Sequence, residues 1–165
     1  MTRAVLSIGS NLGDRLAHLQ SVVDGIGDAV RAVSAVYETD PWGGVEQDPF
    51  LNAVVIAEDP AFEAYDWLRR AHEIEQAAGR VRDLRWGPRT LDVDLVACYG
   101  AQGPITVDDR ELTLPHPRAH LRAFVLVPWL DVDPAAELGR PVRELLAELD
   151  GGAAGVRPTA LALET

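Results

Sequence analysis

Two acidic residues separated by one apolar residue, Asp92 and Asp94, form the most chemically suggestive pair in this 165-residue chain. Alternate residues of a strand point to one face of a sheet, so both carboxylates are predicted to project together. The opposite, apolar face would be made by Leu91, Val93, Leu95 and Ala97. Neighbouring carboxylates repel unless a cation lies between them, and Mg2+ takes one or two carboxylates together with substrate phosphates. Taken alone, such a pair is more often a solvated strand face than a metal site.

A cluster of arginines just before this pair favours a functional role over a solvated surface. Arg80, Arg82, Arg85 and Arg89 lie together in a chain of formal net charge −11 that contains no lysine. Guanidinium groups bind phosphate through paired N–H donors and stay charged at any working pH. Carboxylate-bound cations beside guanidinium groups are what phosphoryl transfer requires, because the enzyme mainly positions reactants and neutralises charge.

Several function classes are disfavoured by composition and by absent motifs. The chain has neither a Walker-type loop nor a Gly-x-Gly-x-x-Gly fingerprint, and the glycines at 9 and 13 indicate a turn. The acidic net charge argues against a nucleic-acid partner. The single cysteine, Cys98, excludes an intrachain disulfide and is typical of a core position. Because no run approaches 18 apolar residues, we expect no membrane-spanning helix and a cytoplasmic protein. We also expect a monomer.

The hydrophobic patterns predict the elements that would position these groups. Strands are predicted at 4–8, 33–39, 50–58 and 90–99, and helices at 14–30 and 60–79. This β-α-β-β-α-β order predicts an α/β fold of the ferredoxin-like type, with an antiparallel central sheet flanked by helices. A hairpin at 100–114, helices at 118–130 and 140–149, and a C-terminal extension at 151–165 complete a single domain, 1–165.

At this point the sequence resembles a known family. The run Arg85-Trp86-Gly87-Pro88-Arg89-Thr90-Leu91-Asp92-Val93-Asp94-Leu95-Val96 is similar throughout to the signature of hydroxymethyldihydropterin pyrophosphokinases. Four further landmarks occur in family order, at 8–13, 50–53, 112–117 and 122–126. The resemblance covers roughly residues 4 to 130.

The resemblance implies a reaction and a role for each matching residue. The hydroxymethyl oxygen of a dihydropterin would attack the β-phosphorus of ATP, releasing AMP, with two Mg2+ ions as cofactors. Asp92 and Asp94 would hold both metals, and Arg80 and Arg89 would neutralise the transition state. The ATP side would be lined by His72, Glu75, Thr113, His116 and Arg122. Arg82 and Arg85 would assist at the phosphates, and Trp86 would close over the pterin. The pterin would be bound by Trp42, Phe50, Asn52 and Phe124.

Two alternatives remain open from the sequence. A non-catalytic ferredoxin-like module that senses a nucleotide or metal would bind Mg-ATP without forming AMP. A nucleotidyltransferase also uses an Asp-x-Asp strand with two metals, but would release pyrophosphate and leave AMP on the acceptor.

The placement of Asn52 favours a functional role for this residue, because asparagine is poorly suited to the start of a strand.

Overall fold

The computed structural model describes residues 1–40, 47–79 and 90–165. Within these ranges the strands are β1 (Thr2–Ser10), β2 (Val30–Val33), β3 (Tyr37–Thr39), β4 (Phe50–Asp59), β5 (Asp92–Gly100), β6 (Gly103–Pro104), β7 (Val107–Asp108), β8 (Thr113–Leu114) and β9 (Val156–Pro158). The helices are α1 (Arg15–Ile26), α2 (Ala64–Ala77), α3 (Ala123–Val132) and α4 (Val142–Ala147), with 3-10 turns at Gly27–Ala29 and Ala119–Leu121. None of the helices in the described part of the chain is long and apolar enough to cross a membrane.

The described strands form a seven-stranded antiparallel sheet in the order β6-β5-β1-β4-β3-β9, with β2 also paired to β4. The central order β5-β1-β4-β3 and the chain order β-α-β-β-α-β confirm the predicted ferredoxin-like architecture. Strands β7 and β8 pair separately as a small hairpin between β6 and the turn before α3.

Both faces of the central strands are buried, which explains the nearly continuous apolar runs in β1 and β4. One face packs against α1 and α2 and includes Leu6, Val55 and Leu95. The other face packs against α3 and α4 and includes Val5 and Val54. We refer to these as the α1–α2 face and the α3–α4 face.

The predicted helices begin where local capping permits. Helix α1 starts after Asp14, whose carboxylate accepts a hydrogen bond from the Ala17 amide at 3.1 Å. Helix α2 begins at Ala64 rather than near residue 60, because Glu63 and Asp66 form a capping box there. These bounds refine the predictions without changing the order of elements.

The predicted strand at 33–39 is wrong as one element, because it divides into β2 and β3. Between them, the Ser34 hydroxyl accepts from the Val54 amide at 2.9 Å and donates to the Ala35 carbonyl at 2.8 Å. The Ala35 amide donates instead to the Asp131 carboxylate on α3, at 2.8 Å. Side chains thus replace ladder hydrogen bonds at the break.

Strand β5 contains a bulge that corrects part of its predicted face. Val5 pairs with Ala97 whereas Leu6 pairs with Leu95, so Val96 is the extra residue. Leu91, Val93 and Leu95 pack on the α1–α2 face as expected, but Ala97 packs on the opposite face. The prediction for Ala97 was wrong because the bulge reverses the alternation beyond it.

The C-terminal extension is part of the sheet. Strand β9 pairs with β3, and places Thr39 opposite Val156 and Glu38 opposite Arg157. The end of the chain therefore covers one edge of the sheet that carries the candidate site.

Candidate active site

One row of residues across three strands places the two carboxylates beside the asparagine that the sequence singled out. Gly9, on central strand β1, pairs with Asn52 of β4 on one side and with Asp92 of β5 on the other. Two residues earlier in β1, and therefore on the same face, Ser7 pairs with Asp94. Neighbouring strands lie about 5 Å apart, so Asn52 and Asp92 are separated by roughly two strand spacings. All of these side chains lie on the α3–α4 face.

The absence of a side chain at Gly9 allows this arrangement. A Cβ atom there would lie 2.6 Å from Asn52 Nδ2 and 3.6 Å from Phe50 Cδ2. The amide of Asn52 and the ring edge of Phe50 therefore both lie over the backbone of Gly9. A glycine within a strand often marks such a close approach.

The orientation of Asn52 is fixed by a buried hydrogen bond. The Thr39 hydroxyl donates to Asn52 Oδ1 at 2.6 Å, and both residues are about 4% exposed. The Asn52 amide nitrogen makes a longer contact of 3.4 Å with the Ile8 carbonyl oxygen. A buried amide held in this way can present a defined donor and acceptor edge to a flat ligand.

Arg122 connects the acidic pair to an aromatic side chain. Its Nη1 lies 3.9 Å from Asp94 Oδ2, and its guanidinium carbon lies 5.5 Å from the centre of the Phe124 ring. Burial lowers the pKa of Arg122, whereas the neighbouring Asp94 and Asp92 raise it and oppose that effect. The arginine remains a cation, since arginine does not deprotonate in proteins.

His116 is hydrogen-bonded to β5 and is neutral. Its amide donates to the Val96 carbonyl at 2.8 Å, and its Nδ1 accepts from the Arg118 amide at 3.2 Å. Burial, followed by the positive charges of Arg122 and Arg118, lowers the pKa of His116 from 6.5 to about 4. With Nδ1 used as an acceptor, the neutral ring carries its proton on Nε2, which is then a hydrogen-bond donor.

The outer edge of β5 brings together further candidates from the sequence. Glu75 of α2 is 3% exposed, and its Oε2 accepts from the Val93 amide, between the two aspartates, at 2.8 Å. His72 lies on an exposed position of the same helix, and Thr113 lies half-buried in β8, which packs against β5. Glu75 and His116 thus bind the backbone of β5 close to Asp92 and Asp94.

The remaining candidates lie outside the described residues: Trp42, Arg80, Arg82, Arg85, Trp86 and Arg89. Sequence reasoning missed Thr39 and the spacing role of Gly9. The prediction that Gly9 belongs to a turn was wrong, because β1 continues to Ser10 and Gly9 pairs within the sheet. Thr39 had no detectable signal in the sequence, because its role depends on the pairing of β3 with β4.

Comparisons with known proteins agree on one family. The family model described as 7,8-dihydro-6-hydroxymethylpterin-pyrophosphokinase matches residues 5–134. A Mycobacterium tuberculosis protein named 2-amino-4-hydroxy-6-hydroxymethyldihydropteridine pyrophosphokinase is 63% identical over 160 residues, covering 91% of this chain and 85% of that protein. A protein of the same name from Methylorubrum extorquens is 47% identical over 155 residues, covering 91% of this chain and 95% of that protein.

The solved structures support the fold. A Plasmodium falciparum HPPK-DHPS structure with SDX-DHP matches with a TM-score of 0.61 at 14% identity, over 87% of this chain. The match covers 43% of that solved chain, so this protein spans less than half its length. At this identity the likeness shows the shared fold alone.

Proposed function

The chain belongs to the 7,8-dihydro-6-hydroxymethylpterin-pyrophosphokinase family, and from this we propose that it transfers diphosphate from ATP to 6-hydroxymethyl-7,8-dihydropterin in folate biosynthesis. The hydroxymethyl oxygen loses its proton and bonds to the β-phosphorus of ATP. The bond between that phosphorus and the oxygen bridging to the α-phosphate breaks, and AMP leaves with the bridging oxygen. One observation carries the proposal: Asn52 and Asp92 flank Gly9 on the same face of the sheet.

We propose that the carboxylate side of this row binds two Mg2+ ions through Asp92 and Asp94. Both side chains are half-buried on one face of β5, and Asp94 is 38% exposed, so they can be reached by a ligand. Two carboxylates are enough for Mg2+, because this ion completes its shell with substrate phosphates and water. Bound Mg2+ would supply charge neutralisation on the transferring phosphates.

The protein's own cations and donors would bind the rest of ATP. Arg122 stands 3.9 Å from Asp94, where it can pair with a phosphate oxygen that approaches the acidic pair. Neutral His116 offers its Nε2–H as a donor without adding charge. Glu75 would orient the start of β5 through Val93, while His72 and Thr113 would line the nucleotide side.

The pterin side would be formed by Asn52, Phe50 and Phe124. Asn52 offers an amide edge in a buried setting, and such edges discriminate strongly against ligands that lack matching groups. Phe50 and Phe124 would stack on the flat ring system. From the resemblance we also propose Trp42 for this side.

We propose, from the resemblance, that the remaining arginines bind the phosphates. We propose that Arg80 and Arg89 neutralise the transition state with the assistance of Arg82 and Arg85, and that Trp86 closes over the pterin. We further propose that residues 1–165 act as one domain and that the protein is a cytoplasmic monomer. Pairing of β9 with β3 supports the single domain, because it joins the end of the chain to the central sheet.

AMP formation with two acceptors tests the function. The protein, ATP and Mg2+ are incubated with 6-hydroxymethyl-7,8-dihydropterin, or with 6-methyl-7,8-dihydropterin, which lacks the accepting hydroxyl. We expect stoichiometric AMP with the first acceptor and none above background with the second. Equal AMP with both would indicate hydrolysis of ATP, and no AMP with either would reject the proposed transfer.

A further inference from the structure

The segment 156–164, near the C-terminus, crosses from the sheet edge to α1 and is called here the C-terminal strap. Beyond the β9–β3 pairing, both the amide and the hydroxyl of Thr159 donate to the Val36 carbonyl, at 3.2 and 2.8 Å. Farther along, the Gln20 side chain and the Glu164 backbone exchange two hydrogen bonds of 2.7 and 2.9 Å. Leu163 packs against the core on the α1–α2 face. The strap is therefore fixed to the body of the protein at both ends.

Charged side chains connect the strap to β3. Arg157 lies directly opposite Glu38, and its Nη2 is 3.4 Å from Glu38 Oε1. Its other terminal nitrogen, Nη1, lies 3.2 Å from Asp40 Oδ1. Arg157 thus holds β3 through two carboxylates, one within the strand and one directly after it.

A second arginine continues the network from the other side. Arg15, the first residue of α1, donates to Glu38 Oε2 at 3.3 Å and to the Pro49 carbonyl at 2.9 Å. Pro49 directly precedes Phe50, the first residue of β4. Glu38 is therefore held between Arg157 and Arg15, and this bridge joins the strap to the start of the strand that carries Asn52.

Strand β3 transmits this restraint to the candidate pterin side. It contains three residues, and its last, Thr39, donates the buried hydrogen bond of 2.6 Å to Asn52. Glu38 and Thr39 are adjacent and point to opposite faces of the sheet. A restraint on Glu38 from one face therefore limits the movement of the Thr39 hydroxyl on the other.

We propose that the C-terminal strap is a positioning element for the pterin site, and that Arg157 is its main positioning residue. This inference rests on the proposed function. The family-model match ends at residue 134, so the strap lies beyond it. Without the pairing to β9, β3 would be a three-residue edge strand, which is too short to hold Thr39 firmly against Asn52.

Kinetics of Arg157→Ala test the proposal, with Arg140→Ala as the matched control. Arg140 is also an exposed arginine near the C-terminus with two carboxylate partners, but both partners, Glu144 and Glu148, lie on or next to α4. We expect Arg157→Ala to raise the KM and Kd for the pterin about three- to tenfold. A change of this size is expected when exposed ion pairs are lost. Its kcat and KM for ATP should stay within about twofold of the parent. Arg157→Lys should fall between parent and Arg157→Ala.

Three results would overturn the inference. The first is a pterin KM for Arg157→Ala equal to that of Arg140→Ala. The second is a fall in thermal stability and kcat together with a parallel rise in both KM values, which would indicate a merely structural role. The third is no pterin binding by the parent in calorimetry, which would reject the proposed function as well. If the parent binds pterin but forms no AMP, the proposed transfer alone fails, and the pterin Kd values still decide the role of the strap.

Discussion

Replacing Gly9 by alanine should disturb the pterin side of the site through a single added methyl group. The new Cβ would lie 2.6 Å from Asn52 Nδ2, whereas ordinary contacts between such atoms begin at about 3.5 Å. The Asn52 amide must therefore move by roughly 1 Å. Because β4 lies between β1 and β3, this movement drives the amide toward β3 and distorts the 2.6 Å hydrogen bond between Thr39 and Asn52.

The size of the effect follows from the buried position of this contact. Overpacking costs about 1–3 kcal/mol, and an unsatisfied buried polar group costs a similar amount. We expect the free energy of unfolding to fall by about 1–3 kcal/mol. Pterin affinity should fall by about ten- to a hundredfold, because Asn52 no longer presents its amide edge in place. The affinity for an ATP analogue should change less, since the nearest atoms met by the new Cβ all belong to β4.

Calorimetric titration with the pterin, in the presence of a non-hydrolysable ATP analogue and Mg2+, measures this effect. Gly100→Ala is the matched control, because that strand glycine would make only an ordinary contact of 3.5 Å, with Ile105. Gly100→Ala should bind pterin like the parent. The reasoning is refuted if Gly9→Ala is folded and also binds pterin with parental affinity.

Three further changes probe other parts of the site. Asp94→Ala should lower turnover about 10^3-fold while the circular dichroism spectrum stays parental, since a charge interaction of roughly 4 kcal/mol is lost; near-parental activity with Mg2+ would reject the metal assignment. Asn52→Ala should weaken pterin binding and spare ATP-analogue binding; unchanged pterin affinity in calorimetry would leave Asn52 a structural role. His116 has a folded-state pKa of about 4, below its ordinary 6.5, so the unfolded chain takes up its proton first as the pH falls. Stability from His116 is therefore present above pH 6.5 and lost toward pH 4, and His116→Asn should remove about 1 kcal/mol of the loss between pH 7 and 5. Urea unfolding at both pH values measures this, and an identical loss in the variant and the parent would contradict it.

The order of elements and the face of the acidic pair were predictable because they depend on local periodicity. A strand repeats every two residues, so Asp92 and Asp94 had to share a face, and β5 places them together. The helices α1 and α2 followed from apolar spacing and from capping residues such as Asp14. Information within ten or so residues was sufficient for these features.

Features that depend on partners distant in the sequence were not predictable. The break in the strand at 33–39 requires Ser34 to meet Val54 and Ala35 to meet Asp131. The bulge at Val96 is defined only against β1, and it moved Ala97 to the other face. No local pattern at 151–165 indicates a strand, because β9 exists only through its pairing with β3.

The features of the candidate site also divide into those that local sequence predicts and those that depend on distant partners. Asn52 could be singled out from the sequence because asparagine is unusual at the start of a strand. Its hydrogen bond with Thr39 and the space left by Gly9 emerge only when β1, β3 and β4 are side by side. Assignments carried by the resemblance alone, such as Arg89, remain predictions.

Phosphorus NMR of the reaction products tests the central claim most directly. With ATP, Mg2+ and 6-hydroxymethyl-7,8-dihydropterin, we predict that the resonances of ATP are replaced by that of AMP and by the two coupled resonances of a pterin diphosphate ester. Free pyrophosphate together with an adenylated pterin would instead identify a nucleotidyltransferase. An unchanged ATP spectrum from a protein that binds ATP would identify a binding module, and either result would contradict diphosphate transfer.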